Sequence, residues 1–139
     1  MSLFTLMNVA GSALAAQTLR LNTTASNLAN ADSVSSSIGS TYRARSPIFA
    51  PLLDEAMGDS DVATGVEVQG IVESQAPLRK EYAPGHPMAD GEGYIFKPNV
   101  NVIEEMANMI SAQRSYQTNI EIMDAAKQMM TRTLAIGQQ

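Results

Sequence analysis

The sequence contains no cysteine and no tryptophan, and only 5% of its 139 residues are aromatic. Without cysteine the chain can form neither a disulfide framework nor a thiolate metal site, and it has no thiol nucleophile. A core must therefore be built from leucine, isoleucine, valine, methionine and alanine. This set of side chains suits the packing of helices.

Charge is also scarce, because 17% of the residues are charged against about 25% in an average soluble chain. The net charge is −5, and residues 32–98 account for it with ten acidic and five basic side chains. No basic patch is present, which excludes the electrostatic footprint of a nucleic-acid-binding protein. No apolar run reaches the roughly 18 to 20 residues of a transmembrane helix, so we expect no direct membrane insertion.

Few residues offer catalytic chemistry, and His86 is the only histidine. It lies between Gly85 and Pro87, in a turn that is a poor place to orient an imidazole as a general base. His86, Asp90 and Glu92 have side chains that bind metal ions, but their spacing is not that of a calcium loop. They would form the site if the chain were a small monomeric ligand-binding or hydrolytic module. We predict no catalytic, cofactor-binding or metal site, and keep that module as the less favoured alternative.

The N-terminal 31 residues show a heptad pattern typical of a packed helix. One row contains Met7, Leu14, Leu21 and Leu28, and the row three residues earlier contains Phe4, Gly11, Thr18 and Ala25. The first 19 residues carry no charge and resemble a signal peptide, but the same periodicity continues past Arg20. We therefore expect a helix that is retained. An ordinary amphipathic helix on a globular core is the alternative to a coiled-coil seam.

The C-terminal segment, residues 99–139, repeats this pattern over a greater length. One row contains Met106, Gln113, Ile120, Lys127 and Leu134, and the other contains Val102, Met109, Tyr116, Met123 and Met130. The pattern predicts one helix from Asn99 or Asn101 to Ile136, ended by Gly137. Such a helix spans roughly 54 Å, whereas a compact globule of this length is roughly 35 to 40 Å across. Because its own domain cannot cover it, we infer self-association.

Residues 32–98 have a different composition. Residues 32–41 contain five serines and predict a flexible loop rather than packed structure. Residues 66–73 alternate like a strand with Gly70 as a possible bulge, and residues 78–82 and 94–96 predict shorter strands. The predicted fold is mainly α: long N- and C-terminal helices (1–31 and 99–139) pair as an antiparallel coiled coil and act as one unit. A small β-containing, loop-rich middle segment (32–98) connects them.

Several motifs resemble a known family. They are the segments 12–17, 20–22 and 25–33 near the N-terminus, and the segments 84–90, 93–94, 97–102, 104–106, 109–119, 126–127 and 133–138 in the second half. In this order and spacing they resemble the bacterial flagellar rod and hook axial proteins, and among these the proximal rod proteins. Residue 33 departs from the family pattern, because Ser33 stands where threonine is usual.

The resemblance implies a structural subunit of the flagellar basal-body rod, not an enzyme. Its terminal helices would polymerise into a drive shaft that transmits motor torque. The implied partners are copies of itself, other rod proteins including the distal rod, the flagellar type III export apparatus and the membrane-ring adapter. The implied location is the periplasmic rod, reached by type III export without a cleaved signal peptide. The alternative within this class is another axial subunit, a different rod or hook protein.

The resemblance and the heptad rows together assign two sets of residues. The expected helix-packing and assembly interface contains Met7, Leu14, Leu21, Leu28, Met106, Met109, Tyr116, Ile120, Met123, Met130 and Leu134. The expected helix-end motif, which shapes the ends of the two helices through side-chain to backbone hydrogen bonds, contains Asn27, Asn30, Asn99 and Asn101.

Overall fold

Two long helices enclose four strands in the chain order of the computed structural model, which describes residues 3–53 and 63–136. The helices are α1 (Leu3–Ala29) and α2 (Val102–Ile136). The strands are β1 (Arg45–Leu53), β2 (Ala63–Glu73), β3 (Arg79–Tyr82) and β4 (Tyr94–Lys97). The expected arrangement of two long helices around a small β-containing middle is confirmed. Gly137, expected to end the second helix, lies outside the described residues.

Sequence explains where the helices form. Neither helix contains proline, so no residue interrupts the backbone hydrogen bonds of either helix. Helix α2 also lacks glycine, the next least favourable residue within a helix. Glu104 and Glu105 lie in the first turn of α2, where carboxylates interact favourably with the helix dipole. With 35 residues, α2 is about 52 Å long. It therefore extends well beyond the 27-residue α1.

Strands β1 and β2 form a two-stranded antiparallel sheet, with Arg45 opposite Glu73 at one end and Leu53 opposite Ala63 at the other. The register shifts between Ile48 and Phe49, next to the glycine at which a bulge was expected. Pro47 lies two residues after Arg45, whose backbone N–H and carbonyl bond to Asn27 on the outer edge of β1, so the missing N–H of Pro47 falls on the same edge. Proline is tolerated at this edge because no ladder bond is lost.

Strands β3 and β4 form a second antiparallel pair. All of β3 is exposed, whereas Ile95 and Phe96 of β4 are buried. On the outer edge of β4, Phe96 exchanges two backbone hydrogen bonds of 3.0 Å with Ser35. The prediction of a loose loop at residues 32–41 is therefore wrong in part: a backbone pairing that the serine-rich composition does not reveal holds this segment against β4, and a short 3₁₀ turn follows at Ile38–Ser40.

The core is built mainly from small side chains. The buried apolar residues are Ala10, Ala16, Ala31, Ile95, Phe96, Val100, Ala112 and Ala126. Helix α1 packs against α2 on one side and against β1 and β2 on another. Many large apolar side chains meanwhile lie at the surface. Of the described helices, neither is both long and apolar enough to cross a membrane.

Candidate assembly surfaces

The inner face of α2 is covered by α1, the element with which α2 packs. Ala112 and Ala126 are fully buried there. The Arg20 guanidinium donates a hydrogen bond of 3.3 Å to Asn108 Oδ1 across the contact. Alanines at this contact let the two backbones approach closely.

The predicted packing residues occupy two different environments. Met7, Leu14, Leu21, Leu28, Met109, Tyr116, Met123 and Met130 are half-buried in the single chain. Met106, Ile120 and Leu134 are exposed, to 53%, 40% and 69%. The half-buried methionines and Tyr116 alternate along α2 with Ala112, Asn119 and Ala126 at steps of three and four residues, so these two rows form the face towards α1. The role of all eleven residues in assembly stays a prediction.

A second stripe runs along the outer side of α2, and we call it the outer stripe. It contains Ile103, Met106, Ile110, Gln113, Gln117 and Ile120, again at steps of three and four residues. Ile103 is 80% exposed and Ile110 is 50% exposed. The heptad rows had singled out Met106 and Ile120 but missed Ile103 and Ile110. Their 3-4 spacing relative to Met106 is the sequence signal that identifies them.

Asn27 lies in the last turns of α1 but bonds outside the helix. Its Oδ1 accepts hydrogen bonds from the Arg45 backbone N–H (2.9 Å) and from the Tyr42 hydroxyl (2.9 Å). Its Nδ2 donates to the Arg45 carbonyl at 2.8 Å. The amide thus takes both backbone groups of Arg45 at the outer edge of β1, as a neighbouring strand would. Asn27 is 1% exposed, so these bonds satisfy a fully buried polar group.

Asn99 lies two residues before the N-cap of α2 and bonds to the residues that precede β1 and follow β2. Its Oδ1 accepts the Ala44 backbone N–H at 2.8 Å, and its Nδ2 donates to the carbonyls of Ala76 (2.9 Å) and Ser74 (3.4 Å). The Arg43 guanidinium also donates to these two carbonyls, at 3.3 and 3.1 Å. Residues 43–45 and 74–76 are thereby tied together beside the start of α2.

The other two asparagines of the predicted motif bond at the helix ends. Asn30 Nδ2 donates to the Ser26 carbonyl at 2.8 Å, in the last turn of α1, and this carbonyl also accepts the Asn30 backbone N–H at 3.2 Å. Asn101 Oδ1 accepts the backbone N–H of Ile103 at 3.2 Å, as an N-cap does.

His86, Asp90 and Glu92 each bond within or beside the turn that connects β3 and β4. Asp90 Oδ1 accepts the N–H groups of Tyr94 (2.8 Å) and Glu92 (2.9 Å), and the Tyr94 bond above all holds the pKa of this carboxyl below its ordinary value. His86 Nδ1 accepts the Met88 N–H at 3.1 Å. Over the described residues, no group of three or more acidic or histidine side chains is arranged to hold a metal.

The chain matches two family models. Residues 7–35, which include most of α1, match the family described as "Flagella basal body rod protein". Residues 92–136, which include β4 and α2, match "Flagellar basal body rod FlgEFG protein C-terminal". Most of α1 and all of α2 thus fall within matches to flagellar basal-body rod families.

Full-length relatives narrow this class. The flagellar basal-body rod protein FlgC of Salmonella typhimurium strain LT2 is 51% identical over 138 residues, which cover 99% of this chain and 100% of the relative. FlgC of Escherichia coli O6:H1 is 49% identical with the same coverage. FlgC of Borreliella burgdorferi is 36% identical and covers 99% of both chains. The chain belongs to the FlgC family of flagellar basal-body rod proteins, which confirms the resemblance, and it is a structural rod subunit of the basal body.

Proposed function

We propose that the chain polymerises through its terminal helices into the proximal rod and transmits torque as a rigid, non-catalytic part. In this proposal residues 1–31 and 99–139 form one antiparallel coiled-coil unit, and residues 32–98 face outwards. The observation that carries it is the outer stripe of α2, because a single copy leaves a second heptad-spaced apolar face uncovered.

The antiparallel orientation is supported by three side-chain contacts. Asn27 at the end of α1 and Asn99 before the start of α2 bond to consecutive residues, Arg45 and Ala44. One end of each helix therefore lies at the same point. Seven residues back along α1, Arg20 bonds to Asn108, nine residues on from Asn99. Contacts that move backwards along one helix and forwards along the other are those of an antiparallel pair.

The interface with other subunits is best supported along the outer stripe. No residue of this stripe is charged, and its apolar members repeat at the spacing of a coiled-coil seam. Depletion of charge is typical of the centre of a protein interface. Copies of this chain and other rod proteins are the partners that we propose for it. The acidic excess lies in residues 32–98, which fits a segment that faces water.

We further propose type III export without cleavage into the periplasm, and contacts with the export apparatus, the membrane-ring adapter and the distal rod. Helix α1 supports retention of the N-terminal segment, because residues 3–19 of the stretch that resembles a signal peptide belong to it and Ala10 and Ala16 are buried. Removal of residues 3–15 would take away about half of the helix that packs against α2.

A charge in the outer stripe tests assembly. Ile110→Asp places a carboxylate in an interface where it has no partner, which is costly once water is excluded. Because Ile110 is half-exposed in the single chain, the variant should keep its own fold. We expect loss of basal-body rods and of motility in cells that carry only this variant.

Ser111→Asp is the matched control, with the same charge one residue on and about 100° around the helix. It should assemble and swim normally. Normal rods with Ile110→Asp, at a cellular level equal to that of the unsubstituted chain, would overturn the proposed use of this face.

A further inference from the structure

The four asparagines of the predicted helix-end motif divide into two kinds. Asn30 and Asn101 bond to backbone groups of the helix end at which they lie. Asn27 and Asn99 instead bond to residues 44–45 and 74–76, where strands β1 and β2 begin and end. Two residues that are not needed to terminate a helix therefore connect both helices to the hairpin.

We propose that Asn27 and Asn99 are positioning residues that together fix the direction of the β1–β2 hairpin relative to the helix pair. They come from the N-terminal and C-terminal parts of the chain, yet they bond to consecutive residues: Asn27 accepts the N–H of Arg45, and Asn99 accepts the N–H of Ala44. The hairpin is thus held correctly only when the end of α1 and the start of α2 are both in place.

The bonds on Arg45 have no substitute within the sheet. Arg45 is the first residue of β1, and its N–H and carbonyl point away from β2 to the outer edge, where Asn27 takes both. The Tyr42 hydroxyl donates to the same Oδ1, and Ser26 Oγ lies 3.2 Å from that hydroxyl. A connected polar network of this kind specifies one arrangement, because each member is satisfied only by the others.

A third contact holds the hairpin near its far end. The backbone N–H of Val66, which lies opposite Pro51, donates to Ser12 Oγ at 3.0 Å. Ser12 and Asn27 are about 22 Å apart along the helix, and Arg45 and Pro51 are about 20 Å apart along the strand. Because the two contacts are separated by nearly the same distance on the helix and on the strand, the hairpin runs along α1. If the chain builds the rod as proposed above, every copy then carries its hairpin in the same direction.

Site-specific labels on the isolated chain test this positioning without any assembly. The chain has no cysteine, so Gln69→Cys on the exposed side of β2 and Thr118→Cys on α2 introduce the only two label sites. A spin-label distance measurement should give one narrow distribution. Asn27→Ala and Asn99→Ala should each broaden it, whereas Asn30→Ala and Asn101→Ala should leave it narrow.

Residue-resolved hydrogen exchange supplies the second measurement. Loss of an acceptor should speed exchange about tenfold or more, at the Arg45 amide in Asn27→Ala and at the Ala44 amide in Asn99→Ala. Asn99→Asp keeps an oxygen to accept the Ala44 N–H but replaces the Nδ2 donor by an oxygen that faces the Ala76 and Ser74 carbonyls. It should therefore slow exchange at Ala44 relative to Asn99→Ala and still broaden the distance distribution.

Three results would overturn the proposal: a broad distribution in the doubly labelled chain that keeps all four asparagines, equal broadening by all four alanine variants, or no broadening by Asn27→Ala and Asn99→Ala. These readouts come from single chains. If Ile110→Asp fails to block rod assembly, the distance and exchange measurements are unaffected. The positioning proposal and the assembly proposal are therefore tested independently.

Discussion

Replacement of Ala112 by leucine probes how closely α1 and α2 approach. Ala112 is 0% exposed, on the face of α2 that packs against α1. Leucine adds three carbons where no space is left, and overpacking of this kind costs about 1–3 kcal/mol of folding free energy. Alanine and leucine have similar helix propensities, so the cost is one of packing between the helices. We expect Ala112→Leu to lower the free energy of unfolding by that amount.

Gln113→Leu is the matched control, because it adds apolar bulk at the next residue, which is exposed. It should change the free energy of unfolding by less than about 0.5 kcal/mol. Urea unfolding followed by circular dichroism, with m-values compared between variants, measures both effects. Equal destabilisation by the two substitutions, or none by Ala112→Leu, would refute the placement of Ala112 against α1.

Two further predictions concern the β-rich segment. A Cβ on Gly65 would lie 2.8 Å from Ser12 Oγ, so Gly65→Ala should destabilise the chain by about 1–3 kcal/mol, and Ser12→Ala should relieve part of that cost. Thermal unfolding of the double-mutant cycle checks this, and additive costs would argue against the contact. Because its pKa is lowered, Asp90 stabilises the turn above its ordinary pKa of 3.8, and this contribution is lost as the pH falls through the lowered value. An NMR titration should give a midpoint for the Asp90 carboxyl, and for the Tyr94 amide shift, below 3.8; a midpoint at or above it would contradict the bond.

The helices follow from periodicity, because a repeat of three and four residues without proline leaves few other structures for residues 3–29 and 102–136. Strand β2 follows from its alternation and β4 from its apolar run between turn residues. The pairing of Ser35 with Phe96 does not follow. It depends on backbone groups that are brought together from distant parts of the chain.

The faces of α2 show what periodicity leaves open. Two rows three residues apart, one from Met106 to Ile120 and one from Met109 to Met130, each repeat every seven residues, and hydrophobicity alone does not decide which one meets α1. Alanines decide it in the structure, because their small side chains permit the close approach that buries Ala112 and Ala126. For the asparagines, sequence indicates a preference for helix ends, but only the fold reveals that Asn27 reaches Arg45.

The central claim is that the outer stripe of α2 joins this subunit to its neighbours in the rod. An electron-microscopy map of a basal body that contains this chain tests it most directly, at a resolution that shows side chains. The account predicts Ile103, Met106, Ile110 and Ile120 packed against helices of adjacent subunits, with α1 and α2 antiparallel within each copy. A rod in which this stripe faces solvent or an open lumen would contradict it.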